Sequence, residues 1–110
     1  MNNYSPSKSV AADPKYKQKD VPLIVARATK AFLDYAPMRY SNSETERIYR
    51  RIPYGPMLDV FVLDMRTYRG PNTGNRQRQE SADTAYLGAA QIEWLMRDLR
   101  ASRAAWKVIA

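Results

Sequence analysis

Three residues near the middle of the chain have side chains that can do chemistry together: Asp64, Arg66 and Arg69, spaced Asp-x-Arg-x-x-Arg in the run Asp64-Met65-Arg66-Thr67-Tyr68-Arg69. A carboxylate beside two guanidinium groups makes the trio a candidate for the lining of a ligand site. The same trio also suits a buried Asp-Arg pair that orders a loop, because structural ion pairs imitate sites. What singles it out is its place, directly after Leu58-Asp59-Val60-Phe61-Val62-Leu63-Asp64, a run apolar at five of seven positions with four in succession. A continuous apolar run of that length predicts a strand covered on both faces. Charged groups at the point where such a strand gives out are where open α/β sheets keep their ligand crevice.

What else can take part is bounded by composition. The 110 residues, 45% apolar, suffice for one modest domain with a core. Cysteine and histidine are both absent, so the usual zinc and iron ligand sets and every His- or Cys-based catalytic arrangement are excluded for this chain alone. Any chemistry must run on carboxylates, Lys, Tyr or a bound cofactor. The net charge of +7 and a pI near 9.9 favour polyanions, anionic membrane surfaces or phosphate-bearing substrates. The charge is dispersed, over Lys8, Lys15, Lys17 and Lys19, over Arg47, Arg50 and Arg51, and over Arg76 and Arg78. No finger, basic zipper or RNA-recognition motif accompanies it, so specific nucleic-acid binding is not expected. The N-terminus lacks the apolar segment of a signal peptide, and no window approaches the roughly 20 apolar residues of a membrane span. The compartment is left open.

The elements that must position the trio follow from periodicity and punctuation. Residues 1–20 are polar, with Pro6 and Pro14, and read as an extended leader; residues 21–110 read as the domain. Asp20 as cap and Pro22 in the first turn open a helix that ends at Ala36 before Pro37, with Ile24, Val25, Ala28, Ala31, Phe32 and Tyr35 along its apolar side. Met38 to Glu46 reads as a surface loop. A short strand from Arg47 to Ile52, ended by Pro53, is expected to pair antiparallel with the core strand through a hairpin loop of about five residues. Gly70 to Thr84 contains almost nothing apolar, and its position beyond the trio suits either a lid or pocket wall or a plain surface excursion. Leu87 to Ser102 is the clearest helix, with Ile92, Leu95, Met96 and Leu99 on one stripe and Trp94 as core or flank. Ala105 to Ala110 closes the chain as a strand. Strand, helix and strand make a βαβ crossover, which sets the last strand parallel to the core strand. The class is α/β, with two main helices and about three strands.

The phrases IYRRIPYGPMLDVFVLDMRTYRGPN, LGAAQIEWLMRDLRASRAAWKVIA and AFLDYAPMR closely resemble consecutive segments of the PhoD-like alkaline phosphatase/phosphodiesterase family, within the calcineurin-like metallophosphoesterases. The likeness covers the chain from Asp13 onward. It implies a partial metallophosphoesterase-type sandwich and a hydrolase in which two metal ions, calcium with iron or a similar pair, activate a water against a phosphoester. It places Asn2 and Asn3 just after a metal-binding Asp-Asp-His-Glu phrase that this chain lacks. It also puts Asp64, Arg66 and Arg69, which match the family's Asp-x-Arg-x-x-Arg phrase, near the pocket, with Arg66 or Arg69 implied to hold substrate phosphate bidentately, Asp64 implied to orient an arginine or a neighbouring group, and no metal ligand among them. The implied reading is an internal piece of a larger enzyme, often exported in relatives, truncated at both ends and inactive alone, with no cofactor expected for the piece itself. The metal pair and a phosphoester substrate belong to the parent enzyme.

Two other readings stand beside this one. The chain can act as a basic binding or regulatory module for phosphate-rich polyanions or a full-length homologue, which would show steep salt dependence. It can also be a truncated reading frame without function of its own. Because the core strand needs two covering layers and the chain supplies few, exposed edges and self-association of the isolated chain are expected.

Overall fold

The computed structural model describes residues 1–39, 46–74 and 76–110. The loop expected between Met38 and Glu46 lies largely outside the described residues. The chain divides into two compact units, one formed by Lys8–Arg47 and the other by Met1–Ser7 together with Ile48–Ala110.

The Lys8–Arg47 unit holds helix α1, Val21–Tyr35. Asp20 caps it by accepting from the Leu23 amide at 3.0 Å, a bond of the kind whose loss costs about 1 kcal/mol. Ala36 closes it by donating to the Phe32 carbonyl at 2.8 Å. Residues ahead of the helix turn back on themselves around Lys19, whose ammonium donates to the Asp13 carbonyl at 2.6 Å and the Val10 carbonyl at 3.3 Å. The helix is where the sequence put it, but the expected apolar side is not what it buries. Val21 and Leu33 are the buried positions, whereas Phe32 and Tyr35 are exposed. The described part of the unit contains one helix and no strand, so a broad apolar stripe has little to close against.

In the other unit, β1 (Arg50–Tyr54), β2 (Leu58–Val62), helix α2 (Ala89–Ala101) and β3 (Trp106–Ile109) form a three-stranded mixed sheet in the order β1-β2-β3 with one helix in the crossover. This is the expected α/β class. β1 and β2 pair antiparallel, with Ile52 opposite Val60 and Tyr54 opposite Leu58, and β2 and β3 pair parallel, with Val60 opposite Val108. Two boundaries move. The first strand starts at Arg50 and runs through Pro53 to Tyr54, because β1 is an edge strand and Pro53 can turn its missing donor away from the ladder. The hairpin loop is correspondingly shorter, Gly55 to Met57, with Gly55 in the left-handed region at φ 69°.

Burial along β2 alternates. Asp59 and Phe61 are buried, while Leu58, Val60 and Val62 are half-buried. The both-face burial expected from the apolar run is therefore corrected to burial on one face. On that face α2 lays Trp94 against Phe61 and Tyr49, with ring centroids 6.3 and 4.9 Å apart, and Tyr68 meets Tyr49 edge-on at 5.2 Å. Such aromatic pairs add about 0.5–1.5 kcal/mol each beyond their area. Leu63, Leu95 and Leu99 surround the cluster. The face of α2 is also corrected: Gln91 and Trp94 are buried, and Ile92 and Met96, two of the four expected stripe residues, are exposed. On the opposite sheet face Tyr54, Trp106 and Val108 stand exposed beside the half-buried Leu58 and Val60.

Candidate functional site

Past β2 the ladder continues for one more bond, from the Leu63 amide to the Ala110 carbonyl at 2.8 Å. The peptide groups of Asp64 fall on the other side, where β1 pairs no further than Arg50 opposite Val62, and helix α2 supplies the partner. Gln91 accepts from the Asp64 amide at 2.7 Å and donates to the Asp64 carbonyl at 2.9 Å. The chain then turns sharply. The Asp64 carboxylate, 8% exposed, accepts from the amides of Arg66 and Thr67 at 2.9 and 2.8 Å. This is the local Asp-to-backbone bonding that favours aspartate in turns, made stronger by its charge.

The turn leaves the Arg66 side chain exposed, where its guanidinium donates to the Asn3 side-chain oxygen at 3.2 Å. Asn72 donates to the Asn3 carbonyl at 2.7 Å, so a residue from the chain start sits between the two sides of the turn. Asn3 holds a left-handed φ of 56°, which asparagine tolerates better than most residues, and Asn2 beside it is exposed. The Tyr4 phenol is pushed up in pKa by burial and then by the Asp64 charge. Asp64 and Arg66 are thus gathered with Asn3 and Asn72. Arg69 has a different neighbour, lying over the Tyr86 ring at 5.1 Å, with its Nε buried and unbonded among the described residues. The Gly70 amide donates to the Ala85 carbonyl at 2.7 Å, and a Cβ at Gly70 would lie 2.6 Å from the Ala82 carbonyl oxygen. That close approach draws the far end of the 70–84 segment, with its short 3-10 turn Ala82–Thr84, back to the Arg69 side. The other described residues of this segment, the expected lid or wall, are irregular.

A second buried carboxylate escaped the sequence reading. Asp59, 1% exposed, pairs with Arg51 at 2.7 Å and accepts from the Ser102 hydroxyl at the C-cap of α2. The Ser102 bond holds the Asp59 carboxyl below the usual aspartate range, with the bond and charge of Arg51 and the charge of Lys107 adding to it against the opposing effect of burial. One signal was there to be found: an aspartate inside an apolar strand, with an arginine eight residues earlier on its hairpin partner, which places the two diagonally on one sheet face.

A metal centre is not built from these parts. Among the described residues no three His, Cys, Asp or Glu side chains group closely enough to hold an ion. Asp59 is committed to Arg51 and Ser102, and Asp64 to two amides. None of the described helices is long and apolar enough to cross a membrane.

A family model described as PhoD-like phosphatase matches residues 1–110. Alkaline phosphatase D of Bacillus subtilis (strain 168) is 32% identical over 94 residues, a stretch covering 77% of this chain and 16% of that relative. The chain therefore corresponds to a small part of the length of the curated protein it matches. No solved structure matches it.

Proposed function

Because the chain belongs to the PhoD-like phosphatase family, we propose that it is the middle portion of a phosphoester hydrolase of the phosphatase/phosphodiesterase kind. Its Asp64 turn supplies substrate-side residues to an active site completed elsewhere. The observation that carries this reading is the geometry at the end of β2. The Asp64 carboxylate is consumed in shaping the turn, and the turn presents Arg66, exposed and still able to fork, beside Asn3 and Asn72. A guanidinium presented in that way is matched to a phosphate dianion. Arg69, held over Tyr86 with a buried free Nε, is the second cation offered to the same substrate class.

The family's chemistry is metal-activated water attack on the phosphoester, with a pair such as calcium and iron. The residues present here do not fit such a pair, so no catalytic step is assigned to this chain. Asn2 and Asn3 stand beside the metal-binding phrase of the complete enzyme. Residues 21–110 are the family scaffold and residues 1–20 the polar leader into it. The sheet face that leaves Tyr54, Trp106 and Val108 exposed is the surface where the rest of the enzyme, or in its absence another copy, makes up the missing layer.

The test is direct. Purified free of contaminating phosphatases, the 110-residue chain should give no turnover of a chromogenic phosphoester with calcium plus iron, manganese or zinc. It should still take up inorganic phosphate, and lose that uptake in Arg66→Ala. Robust metal-dependent turnover by the chain alone overturns its incompleteness, and absence of phosphate uptake overturns the role of the turn.

A further inference from the structure

Gln91, in the first turn of α2, is completely buried, although glutamine is a residue that surfaces usually keep. Its side-chain amide is fully occupied. Oε1 accepts from the Asp64 amide at 2.7 Å, and Nε2 donates to the Asp64 carbonyl at 2.9 Å and to the Leu87 carbonyl at 2.7 Å. The first two bonds are the pair that a residue on an antiparallel neighbour would exchange with Asp64. Phe61 and Leu63 turn their peptide groups to β3, so those of Asp64 fall on the β1 side, and a side chain from the helix stands in for β1, whose pairing goes no further than Arg50 opposite Val62.

The orientation of the peptide groups at Asp64 decides where its carboxylate points. The carboxylate in turn gathers the Arg66 and Thr67 amides. We propose that Gln91 is the positioning residue of this site: through it, helix α2 sets the direction in which Arg66 is presented to a phosphate group. The proposal rests on the reading of the Asp64 turn as phosphate-binding. Anchoring α2 to the sheet does not require an amide, since Trp94 one turn later already packs on Phe61. What an apolar side chain at position 91 could not do is satisfy the amide and carbonyl of Asp64, two strong and directional groups beyond the described β1 pairing.

Amide hydrogen exchange resolved to single residues, on the native 110-residue chain and on Gln91→Met and Gln91→Asn, tests this with inorganic phosphate as the probe. Gln91→Met keeps the length and removes the polar groups; Gln91→Asn keeps the groups and falls one methylene short. In the native chain the Asp64 amide should exchange as slowly as the ladder amides of β2, and phosphate should slow Arg66 and Thr67 further. Both variants should exchange faster at Asp64, Arg66 and Thr67 while Val60 and Phe61 keep their protection. Phosphate affinity should fall on the order of tenfold, the lower end of what removing a group that orients a metal ligand costs a metal site. Fast exchange at Asp64 in the native chain overturns the proposal without any variant. So does native-like phosphate affinity in both variants, and so does loss of protection throughout the sheet in both, which would make Gln91 a stability residue only. If the native chain takes up no phosphate, the phosphate reading of the site fails, and the exchange pattern at Asp64 still decides whether Gln91 sets the turn.

Discussion

Asp59, inside β2, and Asp64, just past its end, are both buried carboxylates, and they are neutralised in different ways. Asp59 takes its partners from side chains on three separate elements: Arg51 of β1, Ser102 at the end of α2 and, through its charge, Lys107 of β3. Asp64 takes its partners from the backbone that immediately follows it. The difference decides what each nearby arginine can do. Arg51, half-buried, is held on Asp59 as its counter-charge, whereas Arg66 is left exposed with only a long bond from its Nη1 to Asn3 described. A carboxylate that draws its hydrogen bonds from distant side chains ties elements together. One that draws them from its own next two amides shapes a loop and leaves the cation for a ligand.

The largest effect expected from this contrast is that of Asp59→Ala. Removing the carboxylate leaves the half-buried Arg51 guanidinium, whose Nε is buried and unbonded among the described residues, without its counter-charge. Cooperative thermal melting followed by circular dichroism should be lost or moved far down. The pH profile carries the same signature. Asp59 titrates lower folded than unfolded, so its contribution is fully present above the unfolded value of about 4 and disappears as pH falls through the lower folded value. Native stability should drop on acidification below about pH 4, and Asp59→Asn should flatten that drop. An unchanged melting midpoint in Asp59→Ala would remove the structural half of the comparison.

How far the sequence revealed these two ends depends on what kind of signal each leaves. The strand at Leu58, the hairpin, the crossover helix and the closing strand all rest on periodicity and chain punctuation, and each forms within a few residues of its expected place. The face of α2 emerged only in part: Leu95, Leu99 and Trp94 meet the core, but counting apolar positions also selects Ile92 and Met96, which are exposed. The structure instead selects whatever meets Phe61, Tyr49 and the bare peptide groups at Asp64: a ring from Trp94 and an amide from Gln91. A polar residue that is buried because a strand has ended looks, in sequence, like any solvated glutamine. Asp59 was hidden by its apolar neighbours, since a buried charge is recognisable only once the register with Arg51 is known. The placement of Asn3 against Arg66 spans 63 residues, beyond the reach of any local spacing rule. Only the family resemblance pointed to that asparagine pair.

A middle-sized effect is expected for Asp64→Ala. It removes the acceptor of two amide hydrogen bonds but strands no buried cation, so the cost should be about 1.5–3 kcal/mol in urea unfolding, the range for hydrogen bonds to a charged group. The sheet and the Trp94–Phe61 contact should persist, seen as unchanged far-ultraviolet circular dichroism. Amide exchange should quicken at Arg66 and Thr67, and phosphate uptake should fall with it. Asp64→Asn, which keeps an acceptor, should lie between the two. If Asp64→Ala proves as damaging as Asp59→Ala, the turn is a fold-holding feature and the distinction between the two ends collapses.

The smallest effect on stability, and the sharpest discrimination, is expected from the two arginines compared directly. Arg66 is exposed and its Nη1 bond to Asn3 is long for a charged donor, so Arg66→Ala should change the unfolding free energy by no more than about 0.5 kcal/mol, as surface substitutions do. Arg51→Ala removes the counter-charge of a carboxylate that is 1% exposed, and should lower the melting midpoint clearly. Phosphate uptake should sort them in the opposite order, lost in Arg66→Ala and retained in whatever fraction of Arg51→Ala remains folded. The two read-outs cross only if each arginine follows the carboxylate beside it, one serving the fold and the other serving the ligand. Parallel losses of stability and phosphate uptake in both variants would mean that the chain's net charge of +7, rather than the Asp64 turn, attracts the anion.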